Sequence, residues 1–92
     1  MNNAKGNSMI ISIAKAEQTG DQEITIDFNE GTSKTIDFGD YLKNTTVLKA
    51  QKYRDPELFG HFTAEFAELV WPNGDMLFDV SDLYKGELPT AK

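Results

Sequence analysis

Apolar side chains occur at every second position from Ile24 to Phe28 and from Ile36 to Phe38, within the segments 22–28 and 34–38. A period of two residues is the repeat of a β-strand, whose successive side chains point to opposite faces of a sheet. We therefore predict two strands here, each with one buried side and one side that faces solvent. Their predicted buried side chains are Ile24, Ile26, Phe28, Ile36 and Phe38.

The loop between these two strands determines how they pair. The apolar side chains of both strands lie on one face only if the loop contains an odd number of residues. A three-residue loop, Asn29-Glu30-Gly31, meets this condition when Gly31 adopts a left-handed backbone conformation. The predicted cross-strand pairs are Phe28–Thr32 and Ile24–Ile36.

Three other segments have a less regular pattern. Met9–Thr19 predicts a further strand, which Gly20-Asp21 ends. Gly39–Lys43 is too short for an independently stable helix, so it predicts one turn or a loop that directs Tyr41 and Leu42 inward. Val47–Tyr53 fits either a short strand or a connecting segment.

A short helix is predicted to begin at Asp55. An aspartate is a good N-cap, Pro56 suits the first helical position because no amide donor is needed there, and the acid Glu57 is favoured in the first turn. The predicted buried side of this helix consists of Leu58, Phe59 and Phe62. After it, Thr63–Trp71 predicts one central strand that is buried on much of both faces.

Trp71-Pro72-Asn73-Gly74 predicts a chain reversal. Asn-Gly tolerates the positive φ angles that a tight two-residue hairpin turn requires. Met76–Phe78 is then predicted to return beside the preceding strand, with Trp71 packing the turn against the core. Ser81 is the predicted N-cap of a last helix that ends at Lys85, with Gly86 after it.

These elements predict an α+β fold, a small antiparallel sheet of about four to five strands with one or two short helices packed on one side. We expect one domain at residues 9–86, since 92 residues with no interior linker leave no room for a second core. Residues 1–8 are predicted to be a disordered lead and residues 87–92 a flexible tail.

Composition narrows the classes of function. The chain has no cysteine, which excludes disulfides and thiolate zinc sites and favours the cytoplasm. We find no signal peptide and no apolar run that would span a membrane. A net charge of −6 makes direct nucleic-acid binding unfavourable, although Lys49, Lys52 and Arg54 could form a small basic patch.

No segment has the spacing of a catalytic, cofactor or metal site, so none is predicted. His61 is the only histidine, and Glu68 is the one acid with mainly apolar neighbours. A catalytic role for His61 or a raised pKa for Glu68 is possible on sequence alone, but a surface position is the more usual reading of both. The candidate interaction surface consists of Trp71, Asn73, Asp75 and Tyr84.

Three motifs in a fixed order resemble the bacterial and archaeal family called domain of unknown function 2442. They are DFNEGTSKTIDFGDYL, RDPELFGHF at 54–62 and ELVWPNGDMLFDVSDLYKG at 68–86. The chain departs from many members in that Asp75 directly follows Gly74 and Ser81 replaces a proline. The resemblance implies a small α+β domain, found alone or fused to a helix-turn-helix domain and sometimes encoded beside another small protein in the manner of a toxin–antitoxin pair.

The sequence favours a non-enzymatic cytosolic protein-interaction module, and an antitoxin-like role is one concrete form of it. Its partner would be another protein or a second copy of the chain, because a small sheet leaves strand edges unpaired. The alternative is a small ligand-binding or enzymatic domain with a pocket between sheet and helices. The polar members of such a pocket would be drawn from His61, Glu68, Asp75 and Tyr84.

Overall fold

The computed structural model describes residues 10–88, which form two antiparallel sheets of three strands each and several short helices. The α+β prediction is confirmed. The strands are β1 (Ile13–Gly20), β2 (Glu23–Phe28), β3 (Ser33–Asp37), β4 (Thr63–Ala64), β5 (Glu68–Val70) and β6 (Leu77–Asp79). The helices are α1 (Gly39–Asn44), α2 (Leu48–Gln51), α3 (Pro56–Phe59) and α4 (Val80–Lys85). Two 3₁₀ turns occupy Lys52–Arg54 and Pro72–Gly74.

The first sheet has the strand order β1-β2-β3, and its central hairpin has the predicted register. Ile24 pairs with Ile36, and the Phe28 amide donates to the Thr32 carbonyl at 2.8 Å. Gly31 has a φ of 100°, the positive value that the three-residue loop requires. Ile24, Ile26 and Phe28 are all buried, so the period of two residues identified both the strand and its buried side.

β1 begins later than the sequence suggests, at Ile13 rather than Met9, and Met9 lies outside the described residues. The pairing shifts between Ile13, which lies opposite Phe28, and Lys15, which lies opposite Asp27. Ala14 is the extra residue of this bulge. Because a bulge reverses which face the following residues occupy, the side chains before and after Ala14 do not follow one continuous alternation.

The segment between the sheets is helical. Of the two alternatives for 47–53, the short strand is therefore wrong, and the segment that connects the sheets is folded as a helical turn. α2 and the 3₁₀ turn after it bury Ala50 and Tyr53 and leave Leu48 exposed. The Arg54 guanidinium donates to the Leu42 and Lys43 carbonyls at 2.7 and 3.2 Å, so it satisfies carbonyls at the end of α1. α1 and the first turn of α3 form where predicted, with Leu42 buried and the Asp55 carboxylate accepting from the Glu57 amide at 3.0 Å.

The single buried strand predicted at Thr63–Trp71 is wrong. The segment forms two strands, β4 and β5, which pair with each other antiparallel through a tight turn. Phe66 lies in this turn with 66% of its surface exposed, whereas Leu69 is fully buried. The apolar residues predicted to form one strand are therefore divided between a turn and a short strand. β6 pairs with the other side of β5 and completes the sheet.

The reversal at residues 72–75 occurs where predicted, but its loop has four residues and not two. Val70 pairs with Leu77, and the Trp71 amide donates to the Met76 carbonyl at 3.0 Å. Asn73 and Gly74 both have positive φ angles, 60° and 70°, as the Asn-Gly pair suggested.

α4 begins two residues before the predicted start. Its N-cap is Asp79, whose carboxylate accepts from the Ser81 amide at 3.0 Å, so Ser81 is not the N-cap. Gly86 ends the helix in the left-handed conformation, as predicted. Leu88 packs against the core beyond it, while the predicted lead at 1–8 and the rest of the predicted tail, 89–92, lie outside the described residues.

Gly31 offers a test of the hairpin register. An added Cβ would meet no atom within 4 Å, so the cost of Gly31→Ala comes from backbone strain alone. We expect this substitution to lower the free energy of unfolding by about 1–2 kcal/mol, measured by urea denaturation. Gly31→Asn, which tolerates positive φ better, should lose less. Equal losses for both variants would contradict the account.

Candidate functional site

Trp71 lies at the centre of an aromatic core. The centroids of five rings lie between 5.5 and 6.3 Å from its own, those of Phe38, Tyr53, Phe59, Phe62 and Phe78. Its indole N–H donates to the Phe59 carbonyl at 2.8 Å, and only 1% of the residue is exposed. Trp71 therefore packs the turn against the core and does not belong to a surface, which corrects its place in the candidate interaction surface.

Asp75 is also turned inward, at the end of the same turn. Its Oδ2 atom accepts a hydrogen bond from the Tyr53 hydroxyl at 2.8 Å and lies 2.8 Å from the Lys52 ammonium. The hydrogen bonds from Lys52 and Tyr53 hold the pKa of the Asp75 carboxyl below its usual value. The Lys52 ammonium also lies 5.5 Å from the centre of the Tyr53 ring. Asp75 thus joins the 72–75 turn to the 3₁₀ turn at 52–54.

Tyr53 is the most deeply buried member of this group, with 3% of its surface exposed. Burial and the neighbouring Asp75 carboxylate raise the pKa of its hydroxyl to about 12. A tyrosine with this pKa is a hydrogen-bond donor at neutral pH and a poor proton acceptor. The Lys52–Tyr53–Asp75 group is therefore suited to hold two turns together. The Tyr53 hydroxyl and the Lys52 ammonium both bind the Asp75 carboxylate.

Tyr84 and Asn73, the other two predicted surface residues, lie in different places. The Tyr84 hydroxyl donates to the Glu30 carboxylate at 3.1 Å, and its ring packs edge-on to Phe28 at 5.1 Å. A hydrogen bond with Thr32 is the main cause of a lowered pKa at the Glu30 carboxyl, and the hydrogen bond from Tyr84 lowers this pKa further. Asn73 is exposed at the tip of its turn. The four residues predicted as one surface are thus two core contacts, one half-buried contact and one exposed side chain.

The polar residues considered for a pocket are not joined to one another. Within residues 10–88, no hydrogen bond or ion pair links any two of His61, Glu68, Asp75 and Tyr84. His61 is exposed, and Glu68 lies half-buried across from Asp79 in the second sheet. No group of three or more His, Asp or Glu side chains in this part of the chain is placed to hold a metal ion.

The outer face of the first sheet is polar, open and rich in acids. We call its four acids, Glu17, Glu23, Asp27 and Asp37, the acidic sheet face; Lys15 is the one cation among them. Hydroxyl groups run across the same face, with Thr25 Oγ1 lying 3.0 Å from Thr19 Oγ1 and 2.9 Å from Thr35 Oγ1. This face could have been predicted from the sequence of β2 and β3, because the polar residues that alternate with the apolar ones there are mostly acids and hydroxyl residues.

Basic residues are concentrated elsewhere, in the helical segment 41–54. This segment has four basic residues and no acid, whereas the rest of residues 10–88 has fifteen acids and three basic residues. Two of the four, Lys52 and Arg54, are engaged with Asp75 and with the α1 carbonyls. The predicted patch of Lys49, Lys52 and Arg54 is therefore partly structural. Lys43 and Lys49 are the basic residues of the segment whose ammonium groups form no hydrogen bond or ion pair within residues 10–88.

Comparison with known proteins gives no match: no family model, no curated protein and no solved structure is similar to this chain. The resemblance to the domain of unknown function 2442 therefore rests on the motifs themselves and stays a prediction. No helix within residues 10–88 is long and apolar enough to cross a membrane.

Tyr53→Phe tests whether the contact to Asp75 holds the two turns together. The variant keeps the buried ring but removes the hydroxyl that donates to the buried Asp75 carboxylate, so we expect the free energy of unfolding to fall by about 1–2 kcal/mol. Tyr41→Phe is the matched control, because no hydrogen bond to the Tyr41 hydroxyl is formed within residues 10–88. Equal losses from the two variants in urea denaturation would contradict a role for the hydroxyl.

The raised pKa of Tyr53 also predicts a pH dependence. Between about pH 10, the ordinary pKa of tyrosine, and the folded pKa of about 12, the folded chain holds a proton that the unfolded chain has lost. The contribution of Tyr53 to stability is therefore complete below pH 10 and is lost as the pH rises toward 12. The midpoint temperature of thermal unfolding should fall more steeply between pH 9 and 12 for the natural chain than for Tyr53→Phe. Parallel plots of Tm against pH for the two chains would refute this.

Proposed function

We propose that this chain is a non-enzymatic interaction module that binds a basic protein partner through the acidic sheet face. The observation that carries the proposal is the open outer face of the first sheet, which presents four acids and one lysine. A shared catalytic pocket is less well supported, because Asp75 and Tyr84 form separate contacts, with Tyr53 and with Glu30.

Two of the acids are best placed to meet a partner. Glu23 accepts from Thr19 and Asp37 accepts from the Gly39 amide, so both are partly committed to the fold. Glu17 is exposed and has only a long, solvent-exposed contact of 3.7 Å with Lys15. Asp27 accepts one hydrogen bond, from the Ser33 hydroxyl at 2.6 Å, and keeps acceptor capacity on its carboxylate.

The hydroxyl chain gives this face a defined shape as well as a charge. Thr19, Thr25 and Thr35 restrain one another across three paired strands, so the acids are carried on a backbone with regular spacing. A preformed charged surface loses little entropy when it binds, and a potential of one sign accelerates encounter with a partner of the opposite sign. Such binding weakens as salt screens the exposed charges.

An antitoxin-like role in the cytoplasm is the concrete form that the family resemblance supports. A negatively charged module would cover a basic surface of a second small protein, such as one that acts on nucleic acid, and so block it. Trp71 is buried and contributes no apolar group to that contact. In this proposal the contact is mainly electrostatic and depends on the acidic sheet face.

The test begins with the tagged chain recovered from its native host after mild cross-linking, to identify a stoichiometric basic protein. Titration of that purified partner should then give an affinity at least about tenfold weaker for the double variant Glu17→Gln and Asp27→Asn, because two facing charges are lost. At higher salt, the affinity of the natural chain for the partner should fall toward the affinity of the double variant, because salt screens the exposed charges.

The matched control removes two charges away from this face. Glu57→Gln with Glu87→Gln gives the same net charge, and both residues are exposed outside the first sheet. It should bind as the natural chain does. Equal weakening by both double variants would reduce the effect to net charge, and the absence of any basic partner would overturn the proposal.

A further inference from the structure

Two exposed surfaces of this chain carry apolar side chains next to charges of opposite sign. The first is on the basic segment and consists of Lys43, Val47, Leu48 and Lys49, which we call the basic–apolar patch. Val47 is 47% exposed and Leu48 is 80% exposed, although both lie in the middle of a folded segment. Lys43 and Lys49 flank them and are also exposed.

The second surface is the outer face of the second sheet, which we call the valine–leucine face. Val70 lies directly across from Leu77, which is 51% exposed. Glu68 and Asp79 form the next cross-strand pair on the same side. Glu65 directly follows β4, and its amide donates to the Glu68 carbonyl at 2.8 Å, so it lies next to this pair. The apolar pair is therefore bordered by three acids.

The charges of the two surfaces are not paired with opposite charges within residues 10–88, although the Asp79 carboxylate also caps α4 by accepting from the Ser81 amide. Within residues 10–88 only two ion pairs form, Lys15–Glu17 and Lys52–Asp75, so no lysine of the patch is paired with an acid of the face. Glu68 and Asp79 are two like charges placed directly opposite each other, an arrangement that is unfavourable in an isolated sheet. A cation brought to this face would relieve that repulsion.

We propose that these two surfaces bind each other between copies, so that the basic–apolar patch of one chain docks on the valine–leucine face of another. Charge complementarity selects this occupant: two lysines beside Leu48 meet three acids beside Leu77, and both surfaces offer an apolar centre with a charged rim. The segments outside residues 10–88 contain Lys5 and Lys92 and no acid, so they cannot supply the acidic counterpart of the patch.

The contact is head-to-tail, because it joins different surfaces of two identical chains. Such an interface is not self-complementary and leaves one free surface at each end, so it propagates into a ring or a short chain of subunits. Its small apolar centre places it among weak, transient contacts, with a dissociation constant between about 10 µM and 1 mM. Association is therefore expected to rise with concentration and to fall with added salt.

The experiment measures the mass of the purified full chain by light scattering over that concentration range. The natural chain should rise above its 10.3 kDa monomer mass at low salt. Lys49→Glu and Glu65→Lys, each alone, should weaken association by about tenfold or more, because each places like charges in contact. The two substitutions combined in one chain should restore it, since the pair is exchanged in sign.

Mixing gives an independent result. The Lys49→Glu chain and the Glu65→Lys chain, each weakly associating alone, should associate when combined in equal amounts. Leu48→Ser should weaken association without affecting thermal unfolding, because the side chain is 80% exposed. Leu77→Ser should also weaken association, with a small loss of stability from its cross-strand contact with Val70. Lys85→Glu, which changes net charge as Lys49→Glu does but lies on α4, should leave association unchanged.

Several outcomes would overturn the proposal. A natural chain that stays monomeric at low salt up to about 1 mM excludes it. So does a double charge exchange that fails to restore association, or an equal effect of Lys85→Glu. These experiments contain no other protein, and they leave Glu17 and Asp27 unchanged, so their failure is distinguishable from failure of the proposed basic partner.

Discussion

The hydrogen bond from the Trp71 indole to the Phe59 carbonyl joins the two halves of this structure. Phe59 ends α3, and the last carbonyls of a helix have no partner inside it. Trp71 follows β5, so the bond fixes the second sheet against the helical segment while it satisfies a carbonyl that is buried from water. An unpaired carbonyl at this depth would cost about 1–3 kcal/mol, which is a large share of the stability of so small a domain.

The remainder of the core is arranged around this contact. Phe38 enters from the end of the first sheet and Phe78 from β6, and both rings pack against the indole. Tyr53 packs against it from the helical segment and reaches Asp75 with its hydroxyl. The turn after Trp71 is therefore held at both of its ends, by the indole at the start and by the Asp75 carboxylate at the end.

How much of this could be predicted follows from the range of each interaction. The 24–36 hairpin and the start of α3 depend on neighbours within a few residues, namely alternation, a loop of odd length and the Asp55 cap, and these were predicted correctly. The division of 63–71 into two strands depends on which of its apolar residues pack into the core with residues distant in the chain. That choice is not recorded locally, so Leu69 is buried and Phe66 is not. The same limit applies to Asp75, whose partners Lys52 and Tyr53 lie more than twenty residues earlier.

A domain of this size cannot cover every apolar side chain that its strands and helices carry, because the fraction of surface buried falls as a chain becomes shorter. Two of the exposed apolar side chains have charged neighbours of opposite sign: Leu48 lies near lysines, and Leu77 lies near acids. A charged rim keeps an exposed apolar group from associating with surfaces of its own sign while it permits contact with the opposite sign. In the contacts proposed above, the placement of acids and lysines selects which surfaces can meet.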